Sequence, residues 1–256
     1  MPTGGELDAT AGDGNRSSSL PRVSASRPAG FDRYSDSYRE AVERSIAFSG
    51  ADLDVFTRAK ARELLRLTAC RLGDPRRLSF LDMGCGPGET DRWLEGHVQR
   101  LAGVDLSTEM IEVARKRNPW AEYRQAGSDG DLPYPAGAVD VCFAICVLHH
   151  VPRPQRPPLV GEMARVTRPG GLVAIFEHNP WNPLTRKAVA GCEFDRDAEL
   201  VPRRECEHLL HGSGLTDVEG SYIVFFTRES PRLQRIERLL RRVPLGAQHV
   251  VSGRRR

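Results

Sequence analysis

Three glycines at alternate positions, Gly84, Gly86 and Gly88, follow directly on the apolar run from Leu78 to Met83. Glycine tolerates positive φ and lets a ligand approach bare backbone, so a tight turn here would seat a nucleotide-like molecule at the end of a strand. The spacing is G-x-G-x-G. In the dinucleotide fingerprint G-x-G-x-x-G the third slot would fall on Glu89, setting a carboxylate beside a pyrophosphate. A ligand without phosphates fits better, and a nicotinamide oxidoreductase is disfavoured on the same ground. Asp105 closes the second apolar run and can accept hydrogen bonds from both ribose hydroxyls; alternatively it or Ser107 caps the next helix. The turn-rich segment from Gly127 to Pro135 offers polar groups to a base edge, or is a plain surface turn.

These residues need a scaffold that brings strand ends together. Strand-like runs at Leu78 to Met83, Leu101 to Leu106, Ala121 to Gln125, Val139 to Leu148 and Gly171 to Phe176 alternate with helical runs at Glu109 to Arg117 and Gln155 to Arg168. Such alternation implies right-handed βαβ crossovers and a parallel, doubly wound α/β sheet, whose ligands sit at the C-terminal strand ends. Upstream, the three- and four-residue spacing of Tyr38, Val42, Ile46, Leu53, Phe56 and Leu64 predicts two helices before the first strand. Downstream, a helix is expected around Arg203 to Leu210, a strand over Ser221 to Phe226, an Arg-rich helix over Pro231 to Val243 and a last strand near Gln248 to Val251. Arg254 to Arg256 read as a frayed terminus.

Composition narrows the partners. A net charge of +3 provides no field that argues for nucleic acid, and no apolar run approaches the about 18 residues of a membrane span. The six cysteines contain no C-x-x-C pair, so reduced structural thiols are expected and no metal site. Residues 1–30 are rich in Gly, Ser, Arg and Pro and read as a disordered tail. They hold no apolar signal core, and Glu6, Asp8 and Asp13 speak against a transit peptide, so a cytoplasmic address is expected.

Leu81-Asp82-Met83-Gly84-Cys85-Gly86-Pro87-Gly88, Val104-Asp105-Leu106-Ser107, Asp131-Leu132-Pro133-Tyr134-Pro135, Val139-Asp140-Val141, Val147-Leu148-His149-His150-Val151 and Arg168-Pro169-Gly170-Gly171 together resemble class I S-adenosylmethionine-dependent methyltransferases. The likeness covers about residues 31–178. It is closest to the small-molecule branch of quinone, glycan and natural-product pathways. It implies a Rossmann-like seven-stranded sheet with the last strand antiparallel, an N-terminal helical lid and a C-terminal helical insertion. Residues 31–256 would form one domain: a helical cap over 31–72, a cofactor core over 78–178, and an acceptor-pocket insertion with closing strands over 179–256. It further implies S-adenosylmethionine as cofactor, held by Asp82, Gly84, Gly86, Gly88 and Asp105, with Leu106 and Met110 flanking adenine. Where many relatives carry Gly-Asp-Ala, this chain has Gly127-Ser128-Asp129, so the adenine contact falls to Ser128 or Asp129. Phe31, Tyr34 and Tyr38 match an aromatic lead-in that folds over the cofactor, where tyrosine rings would shield a sulfonium; ordinary helix packing is the other reading of Tyr38.

Methyl transfer from a sulfonium is chiefly positioning, with proton removal when the acceptor is a hydroxyl. The base is expected at the strand tips, where His149 and His150 end the fourth strand and Glu177 and His178 the fifth. Strand alternation would point His149 and His150 opposite ways, leaving one structural. His150 and His178, with Glu177, are therefore the candidate catalytic residues of a small-molecule O-methyltransferase; a carbon or amine acceptor, or a cofactor-binding partner without chemistry, are the alternatives. Asn-Pro follows the fifth strand and not the fourth, unlike DNA amino-methyltransferases, which disfavours nucleic-acid substrates. Trp181 is a candidate stacking or lid residue in what is otherwise a rigid loop. The helix over Pro231 to Val243 is expected to pack on the sheet, with peripheral membrane contact as its second reading.

Overall fold

The computed structural model describes residues 38–127, 131–228 and 230–256. The expected tail 1–30, Phe31, Tyr34, Ser128 and Asp129 lie outside them. Seven strands form a single sheet: β1 (Ser79–Met83), β2 (Arg100–Asp105), β3 (Glu122–Gln125), β4 (Val139–Ile145), β5 (Thr167–His178), β6 (Leu215–Ile223) and β7 (Gln248–Arg255), in the order β3-β2-β1-β4-β5-β7-β6. Pairing is parallel throughout except at β7, which runs antiparallel between β5 and β6. The direction of winding reverses between β1 and β4, and this switch point opens a crevice above their C-terminal ends.

The central strands are buried on both faces, and their two-residue period sorts the core into two layers. Leu81, Met83, Cys142, Ala144, Val173 and Ile175 pack against α4 (Arg156–Val166) and α6 (Arg203–Gly212). Phe80, Val141, Phe143, Leu172, Ala174 and Phe176 face α2 (Leu53–Leu72). Helix starts carry the caps that their orphan amides require. The Asp52 side chain accepts from Val55 N at α2, Ser107 from Met110 N at α3 (Thr108–Arg117), Asn182 from Leu184 N and Thr185 N at α5 (Pro183–Gly191), and Ser230 from Leu233 N at α7 (Pro231–Leu240). Helix α1 (Tyr38–Ile46) crosses above the crevice and packs on α2 and α5.

The structure differs from the sequence reading in several places. β4 ends at Ile145 and not at Leu148: Cys146 turns to φ 57° while its amide donates to Phe176 O, and Leu148–His150 form a 3-10 turn. No α-helix follows the glycine loop, only the 3-10 turn Asp91–Trp93. Helix α5 occupies what reads as loop, nucleated by Asn182. β6 lies several residues earlier than expected, and α7 stops at Leu240. Arg254 and Arg255 are not frayed: they belong to β7, with Arg255 Nη1 donating to Arg165 O at 2.8 Å and Arg254 Nη2 to Gly170 O at 3.2 Å. Among the described residues no helix is long and apolar enough to cross a membrane.

Candidate active site

A cavity of about 410 Å³ fills the crevice, floored by the ends of β1, β2 and β4 and roofed by α1, α2 and α5. Its walls are mostly apolar, with polar groups gathered at two ends.

One end is the glycine loop. Gly84, Gly86 and Gly88 all adopt positive φ, 75°, 50° and 68°, but for different reasons. A Cβ on Gly84 would sit 2.6 Å from Val147 Cγ2, and one on Gly88 would sit 2.4 Å from Asn118 Nδ2. On Gly86 it would meet nothing within 4 Å. Gly84 and Gly86 line the cavity; Gly88, expected among the cofactor-holding glycines, lies outside that lining and packs against Asn118 and Tyr123. Asp105 ties the loop to the next turn: Oδ2 accepts from Gly86 N at 2.8 Å and Oδ1 from Ser107 N at 2.9 Å. A carboxylate oxygen can accept more than one hydrogen bond, so the capping role of Asp105 does not exclude a ribose contact. Leu106 and Met110 also line the cavity.

Beneath the loop runs a buried polar chain. Tyr123 Oη donates to Asp91 Oδ2 at 2.7 Å, and Asn118 Nδ2 donates to Tyr123 Oη and to Gly88 O, each at 3.0 Å. Asp91 in turn is coupled to Asp82, at the cavity floor. Burial, then the Asp91 charge, raises the Asp82 carboxyl well above its usual range, so it holds a proton that it shares with Asp91; burial lifts Asp91 to about 6. Glu89 faces cations, with Arg39 Nη1 of α1 and Arg117 Nη1 each at 3.1 Å, and so locks the lid helix to the glycine loop.

The other end holds three imidazoles. The His149 ring lies 4.1 Å from that of His150 and 5.1 Å from that of His178, centroid to centroid. His149 is buried, with Nδ1 2.6 Å from Glu177 Oε2 and Nε2 3.4 Å from Asp195 Oδ1; His150 Nε2 is also 3.4 Å from Asp195 Oδ1. Burial alone would push the His149 pKa down, but the carboxylates of Glu177 and Asp195 outweigh it and raise it well above 6.5. Burial, then the His149 charge, lowers both His150 and His178 to about 4. Burial works against ionisation of Glu177 and Asp195, yet the His149 interaction holds both at about 2. His150 and His178 are thus neutral near pH 7, and both line the cavity. The strand argument for separating His149 from His150 fails, because the 3-10 turn sets the rings side by side. Glu177 lies outside the cavity lining. Fully buried, it accepts from Leu148 N at 2.7 Å and positions His149.

Tyr38 lines the cavity and packs tilted on Phe194, centroids 5.0 Å apart, so its lid and packing roles are one arrangement. Trp181 is 69% exposed and outside the cavity lining; its loop is held instead by Asn179 Nδ2, which donates to Pro244 O and Gly246 O. Three residues escaped the sequence reading: His149 as the hub, Asp195, and Lys60. Lys60 on α2 is only 6% exposed and opens on the cavity, and among the described residues no hydrogen bond or ion pair engages it. The one legible signal was for Lys60, a cation on the apolar face of a helix.

The site fits S-adenosylmethionine. Gly86 leaves room where any side chain would intrude, Asp105 offers oxygens to the ribose, Leu106 and Met110 offer an apolar wall to the base, and Lys60 offers an ammonium to the amino-acid carboxylate.

Comparison with known proteins agrees. The methyltransferase domain family matches residues 81–175. The 27-O-demethylrifamycin SV methyltransferase of Amycolatopsis mediterranei is 33% identical over 198 residues, 70% of this chain and 68% of that protein. A malonyl-[acyl-carrier protein] O-methyltransferase of Pectobacterium atrosepticum is 29% identical over 140 residues, 54% of this chain; there, as in other curated relatives, the chain spans about half the partner's length or less (53%). In fold, a SAM-dependent methyltransferase of Thermotoga maritima superposes with a TM-score of 0.62 at 19% identity, covering 88% of this chain and 98% of that one. The geranyl diphosphate C-methyltransferase of Streptomyces coelicolor, solved with S-adenosylhomocysteine, superposes at 0.54 and 16% identity over 76% and 78%. Glycine cradle, strand order and relatives agree, and the chain belongs to the class I S-adenosylmethionine-dependent methyltransferases.

Proposed function

We propose that this enzyme methylates a hydroxyl oxygen of a largely apolar small molecule. S-adenosylmethionine supplies an electrophilic methyl group: the acceptor's lone pair forms the new bond, and the carbon–sulfur pair stays on sulfur. The observation that carries the oxygen acceptor is the pair of neutral imidazoles, His150 and His178, lining the same cavity as the glycine loop. A hydroxyl loses its proton as it is methylated, and a neutral imidazole can take it. The apolar walls select a hydrophobic body, and Tyr38 with Phe194 covers it. Two relatives named for oxygen acceptors, 27-O-demethylrifamycin SV and malonyl-[acyl-carrier protein], support the same reading.

The test is S-adenosylhomocysteine formation by purified protein across hydroxylated polyketides, phenols and amines of similar size. Hydroxylated acceptors should turn over, and His150→Gln and His178→Gln together should lower kcat about 100-fold or more with cofactor affinity unchanged. Turnover confined to amines, or indifferent to both histidines, would exclude the oxygen acceptor.

A further inference from the structure

His149, His150 and Asp195 meet at one point. The Nε2 atoms of both imidazoles stand 3.4 Å from the same oxygen, Asp195 Oδ1, and all three donor atoms lie within 4.8 Å of one another. A separation of 3.4 Å is long for a charge-assisted hydrogen bond, which closes to about 2.7–2.9 Å. It suits atoms that share an ion, because ligands about 2.1 Å from a divalent metal stand about 3.0–3.4 Å apart.

The backbone is built for this convergence. Neighbouring histidines on a strand would point to opposite faces, but β4 stops at Ile145, Cys146 takes positive φ, and the 3-10 turn Leu148–His150 brings the rings together. Asp195 arrives from the 3-10 turn Glu193–Asp195 that follows α5. Glu177 occupies His149 Nδ1 at 2.6 Å and leaves Nε2 as the ligating nitrogen, the outer-shell arrangement that orients metal-bound histidines. Charge points the same way: two buried or half-buried carboxylates, Glu177 and Asp195, face this cluster, and one imidazolium offsets only one of them, whereas a divalent ion offsets both with every imidazole neutral.

We propose that His149, His150 and Asp195 bind one divalent first-row transition-metal ion at the acceptor end of the cavity, against the expectation from sequence that no metal is held. Two imidazoles and one carboxylate suit zinc, iron, cobalt or manganese better than calcium or magnesium. Its remaining positions face the cavity and take an acceptor hydroxyl, alone or chelated with a neighbouring oxygen. This role rests on the acceptor reading given above. Bound to the ion, the hydroxyl ionises more readily, and its proton passes to His178, which lies outside the ligand set.

The experiment uses the full chain, free of any polyhistidine tag and stripped with chelator, titrated with cobalt chloride by calorimetry and visible absorption. One Co²⁺ per chain with ligand-field bands is expected. Asp195→Asn and His150→Gln should each weaken it at least 10-fold, and His178→Gln should leave it unchanged. S-adenosylhomocysteine affinity, measured in parallel, reports that each variant is folded, and His150, whose side chain is 20% exposed, is the substitution least disturbing to the core. Absence of stoichiometric cobalt binding in the wild type overturns the site, as does binding that both variants retain, which marks an adventitious ion. Because cobalt binding is read without turnover, a bound ion with no hydroxyl substrate would uphold the site and refute the acceptor reading alone.

Discussion

Nδ1 of His149 and Oε2 of Glu177 stand 2.6 Å apart in the closed interior beneath the acceptor end of the cavity, and the second oxygen of Glu177 accepts the Leu148 amide at 2.7 Å. One carboxylate therefore fixes both the turn that carries the histidines and the ring at its centre. Glu177→Gln keeps the shape but removes the charge that His149 needs. Breaking a buried pair of this kind costs about 3–5 kcal/mol. Urea denaturation at neutral pH should show a loss of that order, and turnover should fall with S-adenosylhomocysteine affinity within a factor of about two. A variant as stable and active as the wild type would refute the positioning role.

The buried histidines should weaken the fold in mild acid. His150, His178 and His249 have folded pKa values of about 4, below the 6.5 of the unfolded chain, so the unfolded state takes up protons first as pH falls. Their contribution is complete above pH 6.5 and is lost as pH falls from there toward 4. Asp91 acts oppositely: raised from 3.8 to about 6, it favours the fold at low pH and loses that contribution as pH rises through 6. His149, raised, likewise contributes below 6.5 and loses its share only above its folded pKa. Asp82, raised well above the usual carboxylate range, joins Asp91 and His149 in opposing the three lowered histidines, so the histidine share is read by comparing variants. His249, fully buried and away from the cavity lining, isolates it: between pH 7 and 4.5 the urea midpoint of wild type should fall relative to that of His249→Gln. Parallel pH profiles for the two proteins would contradict the assignment.

Gly86→Ala and Gly84→Ala should separate binding from folding. At Gly86 the new methyl enters open space, and the left-handed backbone costs about 1–2 kcal/mol, so melting should shift by a few degrees while S-adenosylhomocysteine affinity falls at least 10-fold. At Gly84 the methyl meets Val147 at 2.6 Å, adding overpacking of about 1–3 kcal/mol to the same strain. Calorimetry beside thermal melts reads both; equal melting of the two variants would deny the distinction.

Lys60→Met tests the ammonium that opens on the cavity, which makes no hydrogen bond or ion pair among the described residues although its charge acts on Asp82 and His178. Removing an isolated buried cation should leave the fold as stable or more so. S-adenosylhomocysteine, which carries a carboxylate, should bind about 10-fold more weakly, and 5′-methylthioadenosine, which lacks it, equally well. Equal losses for both ligands would move Lys60 away from the carboxylate.

The donor side was legible from the chain because it is local. Gly84 to Gly88 and Asp105 sit at the ends of two adjacent strands, and the apolar period that marks β1 and β2 also marks where they stop. The doubly wound parallel sheet followed from that alternation, and the seven strands with an antiparallel last one from the motif resemblance. Even there, Gly88 turned out to face Asn118 and Tyr123 and not the cavity, a contact across thirty residues that no spacing announces.

The acceptor side was decided by tertiary structure. Whether His149 and His150 part or meet depends on where β4 ends, and that is set by Cys146 donating to Phe176 O across the sheet. Asp195 lies 46 residues beyond His149 and reaches it through the chain that follows α5, a helix tied by Thr185 Oγ1 to Ala247 O just before β7. By itself the sequence determined which strands form, where the glycine turn falls and which cofactor it cradles, since these depend on backbone conformation and a two-residue period within short windows. The hub at His149, the buried support of Glu177 and the ammonium of Lys60 came only from packing, because a side chain's charge and reach take their meaning from neighbours distant in the chain.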